Sequence, residues 1–221
     1  FCYNGKRRFE NALEQLPFKE EIEVEWKSFQ LDPSLKNEPG KNINQYLAER
    51  KGISVQKAKE LNEQVTSMAA AEGLHYDFDK AVVANSFDAH RFSHLAAKHG
   101  KGDAAEESLF KAYFTEGKNI SDRDTLIELG KNIGLDSAEI KQTLEGDAYA
   151  QEVQQDIAEA EAIGVRGVPF FVIDRKYAVS GAQASDTFAQ VFERAYTEWK
   201  KENNQFTTIQ GEVCSTDGDC Q

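Results

Sequence analysis

Only three cysteines and four prolines occur in 221 residues. That is too few sulfurs for a secreted scaffold held by disulfides, and the odd count leaves at least one thiol without an internal partner. Long apolar runs are missing as well. Val168 to Ile173 is among the longest uncharged ones, far below the ~18 residues that a membrane helix needs. Positive charge is scarce: 26 Lys and Arg stand against 38 Asp and Glu, for a net charge of −12. Such a surface repels phosphate backbones and anionic headgroups, so neither nucleic acid nor membrane is expected as a partner. The chain opens Phe-Cys-Tyr-Asn with no basic-then-apolar leader. A cytoplasmic location is expected, with export left open because the opening lies mid-protein.

What is present is a folded chain, with 40% hydrophobic residues and 14 Phe. Phe9, Ala12, Leu13 and Leu16 recur at helical spacing before Pro17, which predicts a helix over 1–16 with Cys2 in its first turn. Ile22, Val24 and Trp26 alternate with charged residues, which predicts a strand from Glu21 to about Leu31. Pro33, Ser34, Asn37 and Pro39 are loop chemistry, and beyond them the pattern is helical for more than a hundred residues. Helices are expected after Ser54, along Ser86 to His99, and after capping boxes at Asp103/Glu106, Ser121/Asp124 and Asp136/Glu139. A last one spans about Asp147 to Ile163. Between Asp103 and Glu161 there are 15 acids against 5 bases, which reads as a solvated surface rather than an acidic docking site.

After Gly164 the pattern becomes a β-hairpin, Val168 to Ile173 and Tyr177 to Gly181, followed by a closing helix marked by Phe188, Val191, Phe192, Ala195 and Trp199. The order fits an α/β core interrupted by helices: core over 1–40, an all-helical insertion over 41–163, core again over 164–200, and a polar tail over 201–221.

Cys2 is the most informative single residue, because the unpaired amides and macrodipole of a helix N-terminus favour thiolate over thiol. Taken alone it is more often a small packed residue. Pro169 opens a strand between flexible glycines, where a missing N–H is tolerated. A peptide laid alongside can pair with the backbone there. His90 and His94 stand at i, i+4 without a third ligand, which reads as a surface pair rather than a metal site. Lys6, Arg7 and Arg8 read as a solvated helix face slightly more readily than as a cluster favouring thiolate. Cys214 and Cys220 flank a turn dipeptide, Asp217-Gly218, and are equally readable as a redox pair or as two free thiols. No phosphate loop, dinucleotide fingerprint, nucleophile elbow or metal cluster is seen.

The opening Phe1-Cys2-Tyr3-Asn4-Gly5-Lys6-Arg7-Arg8-Phe9-Glu10 resembles a stretch of the FrnE-type branch of the DsbA family of thioredoxin-fold proteins. In that branch the stretch begins inside a Cys-Pro-aromatic-Cys motif. Asn85 to Arg91, Gly164 to Ile173 and Ser180-Gly181-Ala182-Gln183 agree with it, in the same order. The resemblance implies a thioredoxin-like α/β fold with a large all-helical insertion and a redox dithiol at the first helix. Pro169, after Val168, is then the cis-proline facing that dithiol. Cys2 is implied as the inner, resolving cysteine and Phe1 as one of the two residues between the sulfurs. The outer cysteine, its proline and the first strand are then expected upstream of Phe1. His90 and Arg91 belong to the matching middle stretch and are candidates for a place near the site.

The function so implied is a thiol:disulfide oxidoreductase acting on protein or small thiols, with no cofactor and with glutathione admissible as a substrate. A glutathione-dependent isomerase or transferase, related to 2-hydroxychromene-2-carboxylate isomerase and kappa-class glutathione transferases, is the alternative. Those transferases typically carry serine at the outer position, and Cys2 argues against that reading. A non-catalytic thioredoxin-like binding or redox-sensing module is the third.

Overall fold

The computed structural model describes residues 1–203. Cys214 and Cys220 lie outside the described residues, as does most of the tail. The first helix, α1, spans Cys2–Leu13. After it come a 3-10 turn at Lys19–Glu21, a short strand β1 (Glu38–Asn42), and helices α2 (Ile43–Lys51) and α3 (Val55–Ala71). Strand β2 is Val82–Val83. It leads into α4 (Phe87–Lys98), α5 (Gly102–Phe114), α6 (Arg123–Asn132), α7 (Ser137–Glu145) and α8 (Ala150–Ala162). The chain returns through a hairpin, β3 (Phe170–Ile173) and β4 (Tyr177–Ser180), and ends in α9 (Ser185–Asn203). This is a thioredoxin-like architecture interrupted by helices. No helix among the described residues is long and apolar enough to cross a membrane.

The hairpin pairs Phe170 with Ser180 and Ile173 with Tyr177 in antiparallel register. Its inner face packs with α1 and α9 around Ala12, Leu16, Val179, Phe188 and Phe192. Phe9 is the hinge of this cluster, with its ring 5.4 Å from that of Phe171 and 5.3 Å from that of Phe192. Phe188 and Phe192 are buried there, and a fully buried Phe contributes ~1.5–3 kcal/mol relative to exposure.

The second core lies within the helices of the middle region. Phe92, Leu95, Leu126, Ile140 and Leu144 are buried together there. Gly130 belongs to this contact, because a Cβ on it would overlap Ile140 Cδ1 and stand 3.0 Å from the Phe92 ring. A third cluster joins the two cores: Tyr3 of α1 packs with Ala69, Leu74 and Tyr76. Its ring is 5.3 Å from that of Phe110.

Three local expectations are corrected. Residues 22–30 belong to no strand ladder, since no described segment lies beside them as a strand. Their backbone finds side chains instead, with the Ser28 amide donating to Asp156 Oδ2 at 2.9 Å and the Phe29 carbonyl accepting from His90 Nε2 at 3.1 Å. The region after Gly40 is not purely helical, for β1 and β2 pair antiparallel. Their sequences, Glu-Pro-Gly-Lys-Asn and Val-Val, carry no alternation long enough to announce a strand.

Two of the three capping boxes sit elsewhere. The cap of α5 is Lys101, without a side-chain bond, and that of α6 is Asp122, which accepts from the Thr125 amide at 2.8 Å. Ser121 instead donates its hydroxyl to Asn119. Asp136 caps α7 as expected, and Ser54 caps α3.

Candidate active site

Cys2 is the first residue of α1, at the end where the helical amides lack intrahelical acceptors. Phe1 precedes it with half of its surface exposed, 52%. Gly5, one turn on from Cys2 and therefore on the same face, meets the hairpin entrance. A Cβ at Gly5 would come 2.9 Å from Pro169 Cγ and 3.3 Å from Phe171 Cζ. Only glycine lets the ring this close. Pro169 is buried, and the Val168–Pro169 peptide is cis. Pro169 thus packs against the first turns of α1, the helix that Cys2 opens.

The rest of α1 is held by charge. Lys6, whose side chain is 2% exposed, contacts Glu10, Asp103 at 3.3 Å and Glu107 at 3.1 Å. Arg7 pairs with Glu10 and Glu107, and Arg8 pairs with Glu72. The basic run after Cys2 is therefore neither a solvated face nor a free positive field. Its charges are met by Glu10 on α1 and by carboxylates of the middle helices, of which Glu107 is half-buried and Asp103 stays exposed. Tyr76 adds a buried tie, its hydroxyl donating to Asn4 Oδ1 at 2.8 Å.

Burial pushes the Cys2 thiol above the ordinary thiol value, and the Glu106 carboxylate pushes it further in the same direction. Glu106 is itself raised, first by burial and then by Asp103, against Ser93, Lys6 and His94, which favour its ionised form. An acid thus sits within electrostatic reach of the sulfur. The sequence pattern assigned Glu106 to a helix cap. The signal that places it inward is its register with Phe110 and Tyr113, at i+4 and i+7 on α5.

His90 and His94 are not a surface pair. His90 holds the Phe29 carbonyl, and His94 Nε2 lies 3.1 Å from both Asp156 Oδ2 and Ser28 Oγ. Together they tie the segment 22–30 to α4 and α8. Burial pulls the His90 imidazole down to about 4, so it is neutral at physiological pH. Arg91 is buried at the end of α7, donating to the carbonyls of Ala148 at 2.8 Å and Gly146 at 2.7 Å and to Asp88 at 2.8 Å. Its donors close a helix terminus. Among the described residues, no three His, Cys, Asp or Glu side chains are grouped to hold a metal.

The fold, with a cysteine opening α1 and Pro169 packed against that helix, is that of the thioredoxin-like proteins. Residues 1–193 match the family of DsbA-like thioredoxin domains, and the chain belongs to that family. It is 30% identical over 213 residues to the uncharacterised protein YwbO of Bacillus subtilis strain 168, covering 91% of this chain and 92% of that protein. The crystal structure of a probable DsbA oxidoreductase from Streptomyces coelicolor superposes with a TM-score of 0.84 at 36% identity, covering 100% of this chain and 93% of that one. A 2-hydroxychromene-2-carboxylate isomerase shares the fold, with a TM-score of 0.59 at 12% identity over 92% of each chain.

Proposed function

We propose that the protein is a thiol:disulfide oxidoreductase in which Cys2 is the inner, resolving sulfur of a Cys-Pro-Phe-Cys site. The observation that carries this reading is the packing of Pro169 against Gly5, on the face of α1 that Cys2 opens. The outer sulfur in this reading lies three positions N-terminal to Cys2 in the parent molecule.

The outer thiolate attacks a substrate disulfide, forming a mixed disulfide and expelling one substrate thiolate. Cys2, losing its proton, then attacks the outer sulfur. A disulfide forms between the two active-site cysteines, and the second substrate sulfur leaves as thiolate and takes up a proton. The reverse sequence oxidises a dithiol. Cys2 suits the inner role because burial keeps it protonated at neutral pH, so it does not compete with the outer thiolate for substrate. The backbone groups of Gly167 and Val168 engage no other protein group among the described residues, which leaves them for an extended peptide to pair with.

The test is turnover of a disulfide-bonded model peptide by the full-length protein with glutathione as electron donor. Turnover that depends on Cys2 is expected. Absence of any exchange, with retention on immobilised glutathione, would overturn the proposal in favour of the isomerase or transferase reading.

A further inference from the structure

The groove beside the hairpin entrance, about 380 Å³, is lined by Gly164, Arg166, Val168, Pro169, Ser180 and Gly181, with no acidic side chain on its walls. In a chain of net charge −12 that is an unusual surface. Arg166 is exposed and makes no ion pair or hydrogen bond among the described residues. Every other arginine has a carboxylate partner: Arg7 and Arg8 on α1, then Arg50, Arg91, Arg123, Arg175 and Arg194. Arg8 also reaches the groove's edge, donating to the Ala182 carbonyl at 2.7 Å, but its charge is taken by Glu72 at 2.5 Å. One unpaired guanidinium therefore stands two residues before Val168, beside unengaged peptide groups.

We propose that Arg166 is a specificity-determining residue that receives a carboxylate carried next to the substrate's reacting sulfur. The preferred substrate class is then a thiol or disulfide with an acidic neighbour. The proposal rests on the oxidoreductase reading for its chemistry. An extended peptide paired along Gly167 and Val168 places an adjacent side chain over the groove. A guanidinium offers a carboxylate two parallel donors, which an ammonium does not. Glutathione carries the same group, so peptide and glutathione are two sources of one chemistry.

The test uses the full-length protein and mixed-disulfide pentapeptides differing only in Glu or Gln beside the cysteine. The wild type should favour the Glu peptide in kcat/KM by about 5-fold at low salt, less as salt rises, as for a solvent-exposed ion pair. In Arg166→Gln the ratio should fall to about one, and in Arg166→Glu it should invert. Arg166→Lys should keep part of it, within the same order of magnitude. A ratio taken within one variant is insensitive to loss of folded protein. A wild-type ratio of one, or a ratio unchanged by Arg166→Gln, overturns the proposal.

Oxidised glutathione separates the sources. A larger loss on glutathione than on the Glu peptide in Arg166→Gln makes the small thiol the carboxylate source, and the converse makes it the peptide. The same peptides with Ser for Cys, titrated by calorimetry, separate this proposal from the redox one. Acid-selective binding without turnover keeps Arg166 and sinks the exchange reaction, whereas neither selectivity nor turnover sinks both.

Discussion

Gly5 and Pro169 are in direct contact across the interface between α1 and the hairpin, and no larger residue fits at position 5 without displacing the ring. The site's geometry depends on that contact, because Gly5 shares a helical face with Cys2.

Gly5→Ala is the first test of this relationship. Alanine gains ~1 kcal/mol of helix propensity but crowds the proline ring at a cost of ~1–3 kcal/mol. Thermal unfolding should therefore show a net loss of about 2 kcal/mol or less. Disulfide exchange should fall by more than that loss accounts for, about tenfold at saturating thiol, since misplacement by tenths of an ångström acts on the reacting geometry. Unchanged exchange would separate Pro169 from the chemistry.

Glu106→Gln should lower the Cys2 titration. The carboxylate raises the thiol, and its removal leaves burial as the remaining upward influence. Thiolate absorbance against pH, read where Glu106 is ionised in the parent, should move to lower pH in the variant. A shift upward, or none, would place the acid out of reach of the sulfur.

His90 makes stability fall in mild acid. Its imidazole titrates near 4 in the folded chain against an ordinary 6.5. Between those values the unfolded chain binds more protons, so stability present above 6.5 is lost progressively as pH drops toward 4. At ~1.4 kcal/mol per unit the whole loss is about 3 kcal/mol. Denaturant midpoints across this window should slope downward in the parent and flatten in His90→Gln. Asp156, packed near His94 and Lys27, adds a later loss. Burial raises its carboxyl, but His94, the Ser28 amide and Lys27 outweigh this and hold it below its ordinary value, so its contribution disappears at more acid pH.

Gly130→Ala should destabilise the middle helices despite alanine's better helix propensity. The new methyl meets Ile140 and Phe92, both fully buried. The overpacking cost of ~1–3 kcal/mol exceeds the propensity gain of ~1 kcal/mol. Replacing Ile140 by Val in the same chain should restore part of the loss in thermal melts.

Much of the fold was legible because its helices have strong apolar stripes. Phe9 and Ala12 on α1 and Phe188 and Phe192 on α9 fall where the periodicity puts them, in one cluster with Leu16, which lies just beyond the end of α1. The hairpin was legible from Asp174-Arg175-Lys176 between two β-rich runs. The segment 22–30 was misread because alternation shows which residues suit a strand, but not whether a partner lies alongside. The roles of His90, His94, Lys6 and Glu106 were hidden because their partners, such as Phe29, Asp156 and Asp103, are distant in sequence. A polar side chain reads as solvent-facing until its partner is known. Arg166 was hidden too, since an unpaired arginine is visible only after every other arginine has found its acid.

The most direct measurement is the lifetime of the mixed disulfide between the full-length Cys2→Ser protein and a substrate peptide, followed by mass spectrometry of the intact adduct. If Cys2 resolves the intermediate, the adduct accumulates and persists in the variant while the parent passes through it without detectable build-up. If adducts are equally short-lived in both proteins, or never form in either, Cys2 is not the resolving sulfur.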